Sequence, residues 1–181
     1  MKKIKKNTLI ILILILIDQL VKIIIDVFFK DVSFRLFNKK LGFDVYLNKD
    51  YMSIFNHDFN LNLSIGILIF INLVILLFLV TYYLYILEFN ALNLKIRACM
   101  IITIAGAICS LLDKIFWGGS LDFIVFFGYI IDLKDIYLYT GVLLGIVLFM
   151  HEYVIMKRNI EKAEVLSLKN YIEFIKSLIK R

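Results

Sequence analysis

The sequence contains no proline, and among its 181 residues there are only two cysteines and two histidines. Without proline or a low-complexity stretch, the chain offers no evident linker between separate domains, and no internal repeat is visible. Cys99 and Cys109 fall in one apolar run and lack metal-ligand spacing. We expect both to be small buried residues of a single compact domain.

Charge is scarce as well, because only 20% of the residues are charged and 62% are hydrophobic. The mean hydropathy of +0.89 excludes an ordinary soluble domain. Apolar runs of about 20 residues indicate membrane spans. Four such spans are predicted, at 8–29, 61–87, 98–116 and 136–156. We therefore expect an all-α membrane protein whose first 156 residues form one four-helix transmembrane domain.

The basic run KKIKK before the first span would also suit a signal peptide. The apolar run is long and no small-residue cleavage site follows it, so an uncleaved helix is the favoured interpretation. Most Lys and Arg residues fall in the N-terminal segment, the loop between spans two and three, and the tail, which places both termini in the cytoplasm. His57 and His151 then lie on opposite sides of the membrane and cannot share a metal ion. The net charge of +6 indicates topology and attraction to anionic lipid rather than nucleic-acid binding.

Two segments between spans one and two alternate apolar and polar residues as half-buried strands do: SFRLF at 33–37 and FDVYLN at 43–48. With the turn residues NKKLG between them, they predict a small extracytoplasmic β-element within 30–60. The tail, 157–181, carries apolar residues at helical spacing among Lys and Glu. This pattern predicts a basic amphipathic helix on the cytoplasmic membrane surface, with a solvated helical tail as the alternative.

Four carboxylates cluster near the outer ends of spans three and four: Asp113, Asp122, Asp132 and Asp135. Asp122 lies in the strongly apolar stretch SLDFIVFFGYII, and Asp135 opens the fourth span, where capping the helix would explain it equally well. Two carboxylates in a partly dry site cannot both ionise cheaply, so one keeps a proton. One carboxylate can then act as general base on a water while the other donates a proton to a substrate carbonyl. That is aspartyl-protease chemistry, although spacing alone does not establish it.

The first span carries Asp18, Gln19 and Lys22, although a charge at bilayer depth is costly. Asp18 and Lys22 are four residues apart, so they share a helix face and can form an ion pair. Near the outer end of the span, they could reach a site there or extend to the interface. A purely structural ion pair between helices explains them equally well, and the two roles are compatible.

In their order along the chain, these patterns resemble lipoprotein signal peptidase (signal peptidase II), a family of bacterial intramembrane aspartyl proteases. IDQLVK at 17–22 matches the family's Asp-Gln-x-x-Lys in the first helix. LLDKIFWGGSLDF at 111–123 matches its Asp-Arg segment, which an Asp-Phe follows nine residues later. DLKDIYLYTG at 132–141 matches its Asn-x-Ala-Asp segment and the glycine six residues past the Asp. The resemblance covers most of the chain, and the ordered set is more specific than any single motif.

The resemblance implies that Asp122 and Asp135 are the catalytic pair, without assigning which of them is the base. It matches the family's asparagine after the outer strand to Asn48 in VYLNKD, with Asn62 as a weaker match. It implies that the other polar residues of the motifs support the site or bind substrate: Asp18, Lys22, Ser110, Asp113, Lys114 and Asp132.

The chain departs from the family's pattern at several of these positions. The Gly-Asn ahead of the Asp-Arg is Cys109-Ser110 here, and the Arg is Lys114. The Asn and Ala of Asn-x-Ala-Asp are Asp132 and Lys134, which add a third acid beside the pair and a base that can offset it. The Asn-Thr-Gly segment is Asn48-Lys49-Asp50. These changes concern substrate preference and inhibitor response more than the reaction.

The resemblance implies an endopeptidase of the bacterial cytoplasmic membrane, with its site near the outer face. Its substrate would be a diacylglyceryl-modified prolipoprotein, cut just before the lipidated cysteine. We expect no metal or other cofactor, no nucleic-acid partner, contact with membrane lipids, and a monomer. Two alternatives stay open: a degenerate relative that binds precursors without cleaving them, and a small membrane transporter. Spans two and four carry few polar residues, such as Asn72 and Thr140, which counts against transport.

Overall fold

Helices dominate the protein, for which a computed structural model describes residues 2–49, 61–89, 94–156 and 168–180. The helices of these ranges are α1 (Lys2–Phe28), α2 (Ile65–Phe89), α3 (Leu94–Leu112), α4 (Leu133–Met156) and α5 (Leu168–Ile179). The predicted spans overlap the first four, although α1 begins several residues earlier than expected. Residues 50–60 of the predicted outer element and 157–167 of the predicted tail lie outside the described residues.

Within the described chain, three helical segments are long and apolar enough to cross a membrane: Lys5–Phe28, Ile65–Glu88 and Leu94–Trp117. Apolar side chains cover their outer surfaces, and Leu9 and Leu77 expose more than half of their area, as lipid-facing residues do. The protein is therefore a mostly helical membrane protein. The fourth span stays a prediction, although α4 is 24 residues long and contains all of the predicted segment.

A small antiparallel sheet contains four strands in the order β1 (Ser33–Leu36), β2 (Leu41–Asn48), β3 (Ser120–Phe126) and β4 (Tyr129–Ile131). The first two match the predicted strands. The other two follow the third helix, so placing the β-element within 30–60 was incomplete. Phe127 and Gly128 join β3 to β4 with positive φ angles of 48° and 97°, as in a two-residue hairpin turn of the primed type.

The register of the sheet places polar residues of β3 beside the end of β2. Asn48 lies opposite Ser120, and Tyr46 lies opposite Asp122, just past an irregularity of β2 between Phe43 and Tyr46. Successive side chains of a strand point to opposite faces, so Ser120 and Asp122 share one face. Both side chains are buried, which means that this face of β3 is turned toward the interior.

Helix α3 is the central helix of the bundle, and small residues allow α4 to pack closely on it. A Cβ added at Gly141 of α4 would lie 2.2 Å from the Thr103 hydroxyl oxygen of α3. A Cβ added at Gly106 of α3 would lie 2.9 Å from the Leu138 side chain. This close packing fixes the beginning of α4 relative to the end of α3.

Helix α5 packs against the far end of α2 through aromatic side chains. The Tyr171 and Thr81 hydroxyl oxygens are 2.7 Å apart and hydrogen-bonded. The ring of Tyr171 also meets those of Tyr82 and Tyr85 edge-on at 5.5 Å, and Phe174 is buried beside them. Tyr82 and Tyr85 are therefore partly covered by this helix, whose position on the membrane surface stays a prediction.

Candidate active site

The sheet and the start of α4 bring three carboxylates together. Oxygen atoms of Asp122, Asp132 and Asp135 all lie within 4.8 Å of one another. Asp122 comes from β3, and the other two come from the residues that begin α4. Asp132 is fully buried, whereas the side chain of Asp135 keeps 20% of its surface exposed. The site is therefore buried at Asp132 and accessible to solvent at Asp135.

Two of these carboxylates form a capping box at the start of α4. The Asp135 amide donates to Asp132 Oδ1 at 3.1 Å, and the Asp132 amide donates to Asp135 Oδ2 at 3.2 Å. Each side chain thus accepts a bond from an amide that has no partner within the helix. Asp132, and not Asp135, is the N-cap, while Asp135 occupies the third helical position. The capping box holds Oδ2 of Asp135 in place, and Oδ1 of Asp135 faces the Lys134 ammonium at 3.7 Å.

Lys134 contacts the whole carboxylate cluster. Its Nζ lies 2.7 Å from Asp132 Oδ2, 3.6 Å from Asp122 Oδ1 and 3.7 Å from Asp135 Oδ1. It also donates to Ser120 Oγ at 2.5 Å, and that hydroxyl donates to Asp122 Oδ1. A triad of acids can hold a metal ion, but here an ammonium group already lies within 4 Å of an oxygen of each of the three carboxylates.

A second lysine connects the cluster to the first helix. Lys22 Nζ lies 2.9 Å from Asp18 Oδ2, 2.6 Å from Asp113 Oδ2 and 2.7 Å from Asp132 Oδ2, and all four side chains are fully buried. The pairing of Asp18 with Lys22 agrees with their spacing of four residues. The same lysine also reaches two further elements, so it ties α1 to the end of α3 and to the start of α4.

The end of α3 widens into a π-helical turn, Asp113–Trp117, which Gly118 ends in the left-handed conformation at φ 63°. Single π-helical turns are frequent at functional sites. Gln19 binds both ends of the turn: its Nε2 donates to Asp113 Oδ1 at 3.1 Å, and its Oε1 accepts from Trp117 Nε1 at 3.3 Å. The turn is therefore attached to α1 beside the buried lysine.

Burial raises the pKa of Asp122 to about 6, although the Lys134 ammonium acts in the opposite direction. Asp135 precedes the predicted fourth span, and burial raises its pKa to about 7 against the same ammonium. Burial also acts to raise the pKa of Asp132, but Lys134 and Lys22 hold it at about 2. At neutral pH, Asp132 is thus ionised, while Asp122 and Asp135 have pKa values of about 6 and about 7 and can change protonation state near neutral pH. Such a pair can act as an acid and a base.

A comparison with family models matches residues 10–151 to signal peptidase (SPase) II. The chain belongs to the signal peptidase II family. Proteins of this family are membrane proteases of lipoprotein processing. A search of curated proteins finds no match.

Two solved structures of bacterial membrane enzymes, both determined by the in meso method, are similar to this chain. The one at 2.3 Å resolution has a TM-score of 0.65 and 26% identity over 83% of this chain and 90% of its own. The other, at 1.9 Å, has a TM-score of 0.61 and 28% identity over 80% and 92% of the two chains.

Most residues of the signal peptidase II motifs lie in or beside this cluster. The predicted set includes Asn48, opposite Ser120 at the end of β2, and Asp113, in contact with Lys22. Lys114 forms no ion pair within 4 Å with the carboxylate triad among the described residues, and it donates to Ser110 Oγ at 2.8 Å. That pair lies one helical turn apart, so it stabilises the end of α3 beside the cluster.

Sequence reasoning gave no site role to Ser120, Gln19 or Lys134. Ser120 and Lys134 bond within the cluster, and Gln19 bonds to Asp113, a partner of Lys22. Ser120 precedes Asp122 by two residues, so recognising β3 as a strand would have placed it on the same face. Gln19 belongs to the family's Asp-Gln-x-x-Lys motif. Lys134 was noted only as a base that could offset Asp132.

Proposed function

We propose that this chain is an aspartyl endopeptidase that removes the signal peptide from diacylglyceryl-modified prolipoproteins, cutting before the lipidated cysteine. The observation that carries the proposal is the meeting of Asp122 and Asp135 within 4.8 Å in a largely buried site. Family membership supports the class of reaction, and the pair supplies the groups that the reaction needs.

In the proposed reaction, the ionised carboxylate of the pair takes a proton from a water, whose oxygen attacks the scissile carbonyl. The protonated carboxylate gives its proton to the carbonyl oxygen, and a tetrahedral intermediate forms. Its collapse breaks the C–N bond, while a proton returns to the leaving amine. The pair can hold one proton near neutral pH because burial raises both pKa values, to about 6 for Asp122 and about 7 for Asp135.

The surroundings of the pair suit a lipid-anchored peptide. The partly exposed Asp135 allows water and a peptide to reach the pair. The helices below carry exposed apolar residues such as Val142 and Leu143, along which acyl chains can stay in the bilayer. We propose residues 1–156 as the protease domain and 157–181 as a cytoplasmic tail. Both termini would then face the cytoplasm, with the site near the outer membrane face, in a monomer.

The test is a gel-shift cleavage assay with the purified protein in detergent or lipid and a diacylglyceryl-modified lipobox precursor. The variants are Asp122→Asn and Asp135→Asn. Asp26→Asn is a matched control, because Asp26 lies on the same side of the protein in an exposed pair with Lys30 at 3.7 Å. We expect cleavage by the wild type and the control and a loss of at least about a thousandfold in the dyad variants. Substantial cleavage by either folded dyad variant would exclude that residue from catalysis.

One observation favours a second candidate, a degenerate relative that binds precursors without cleaving them. The Lys134 ammonium lies 3.6 and 3.7 Å from the two carboxylates, where it favours the state in which both are ionised. A doubly ionised pair has no proton for the carbonyl oxygen. Precursor binding by the unmutated protein, without turnover at any pH between about 4 and 8, would support this candidate.

A further inference from the structure

Lys134 is a buried cation in contact with more acidic groups than it can neutralise. Its Nζ lies within 4.0 Å of four carboxylates, and its shortest contacts are with Asp132 at 2.7 Å and the Ser120 hydroxyl at 2.5 Å. Only 4% of its side chain is exposed. The proposed reaction gives this ammonium no role, although it lies closer to the catalytic pair than any other cation of the described residues.

The position of the ammonium is fixed from two sides. Asp132 holds it at 2.7 Å and is itself held as the N-cap of α4 and as a partner of Lys22. Ser120 binds it from β3, two residues before Asp122. These contacts hold the Lys134 ammonium between the sheet and the helix.

Its distances to the catalytic pair decide how it can act. At 3.6 Å from Asp122 and 3.7 Å from Asp135, the ammonium is too far away to donate a good hydrogen bond to either oxygen. It is close enough for a strong electrostatic interaction, because the surroundings are largely dry. Its action on the pair is thus electrostatic and almost equal on the two carboxylates.

We propose that Lys134 is a positioning residue whose charge, opposed by that of Asp132, sets the pH at which the Asp122–Asp135 pair holds a single proton. The inference rests on the proposed function, since the single proton is what the reaction requires. Lys134 lowers that pH, and Asp132 raises it. The two residues together form an ion pair at 2.7 Å that tunes the protonation of the catalytic pair.

Other charged groups face Lys134 from every neighbouring element, and they stay constant in the test. Lys22 faces it from α1, and Asp113 and Lys114 face it from the π-helical turn. Asp122 faces it from β3, and Asp132 and Asp135 flank it at the start of α4. Only the charges at 132 and 134 change between the variants, so a difference in pH profile reports those two charges.

Three variants test the proposal: Lys134→Met, Asp132→Asn and the double variant. Methionine keeps the length of the side chain, and asparagine keeps the N-cap, because its oxygen can accept the same amide bond. The readout is the pH profile of kcat/KM for the lipidated precursor, which reports the ionisation of the free enzyme. We expect Lys134→Met to move the optimum up by about one pH unit or more, and Asp132→Asn to move it down by a similar amount. The double variant should return close to the wild-type optimum.

A merely structural role predicts something different, namely reduced activity at all pH values with an unmoved optimum. That result in both single variants, or shifts of the same sign in both, would overturn the proposal. The double variant is the control for misfolding, because it carries both substitutions but removes two opposite charges. An optimum close to that of the wild type shows that the shifts in the single variants come from charge. The wild-type profile measured beside it tests the proposed function separately.

A spectroscopic titration keeps the inference testable even where the wild type cleaves nothing. The infrared band of protonated carboxyl groups, compared between each protein and its Asp122→Asn derivative, follows the pair directly. The midpoint should rise in Lys134→Met and fall in Asp132→Asn. Unchanged midpoints would refute the role of Lys134 whether or not the chain is a protease.

Discussion

Replacement of Lys22 by methionine tests the buried ion network that joins α1 to the site. Lys22 contacts Asp18, Asp113 and Asp132 at 2.6 to 2.9 Å, with no exposed surface on any of the four side chains. Removing one partner of a buried ion pair costs about 3–5 kcal/mol, because the remaining charge is left without compensation. Asp113 and Asp132 keep Lys134 as a partner, so Asp18 loses most.

The expected result is a fall of about 10 °C in melting temperature, since each 1 kcal/mol shifts it by roughly 2–4 °C in a chain of this size. The two cysteines provide the assay, because Cys99 and Cys109 are both buried and a thiol-reactive dye labels them only on unfolding. Lys30→Met is the matched control: that lysine is 68% exposed, 3.7 Å from Asp26, and its loss should cost no more than about 1 kcal/mol.

The outcome that refutes the reasoning is a Lys22→Met protein that melts within about 2 °C of Lys30→Met. Lys22 would then contribute no more to the free energy of unfolding than the exposed Lys30 does. The double variant Asp18→Asn/Lys22→Met adds a second criterion. It removes the stranded carboxylate charge, so it should recover part of the lost stability.

Two further predictions concern packing and ionisation. Gly141→Ala should lower the melting temperature by several degrees, because its Cβ would lie 2.2 Å from the Thr103 hydroxyl oxygen of α3. Gly145→Ala should leave the melting temperature unchanged, because the nearest atom to its Cβ would be 3.6 Å away. Asp122→Asn should melt at a higher temperature than the wild type at pH 8. The pKa of Asp122 is raised from 3.8 to about 6, so ionisation of this carboxyl destabilises the folded wild type by up to about 3 kcal/mol. The advantage should be absent near pH 4, grow as the pH rises toward 6 and then stay constant. Equal effects of the two glycine variants, or an advantage that does not change with pH, would contradict these arguments.

Sequence periodicity predicted the parts of the fold that depend on local pattern. Apolar runs of span length located α1 to α4, and alternation located β1 and β2. The spacing of Asp18 and Lys22 predicted their ion pair. Each of these features is set within a few residues of the chain, so a single sequence contains the information.

The second half of the sheet was missed because its pattern is ambiguous. β3 is an almost continuous apolar run, which does not distinguish a buried strand from a helix. The two-residue turn at Phe127 and Gly128 was the available signal, but Phe is an unusual residue for positive φ. Only the tertiary structure brings Lys22 to Asp113, which is 91 residues away, and Lys134 to Ser120.

The capping box at the start of α4 also bears on how this site can evolve. Asp132 caps the helix through Oδ1, and it carries the charge that holds Lys134 through Oδ2. Asn, Ser or Thr could take over the first task without the second, since all are good N-caps. Mutation at this one position can therefore alter the acidity of the site while the helix still begins at the same residue. A lineage can thus change how this site responds to pH without rebuilding its fold.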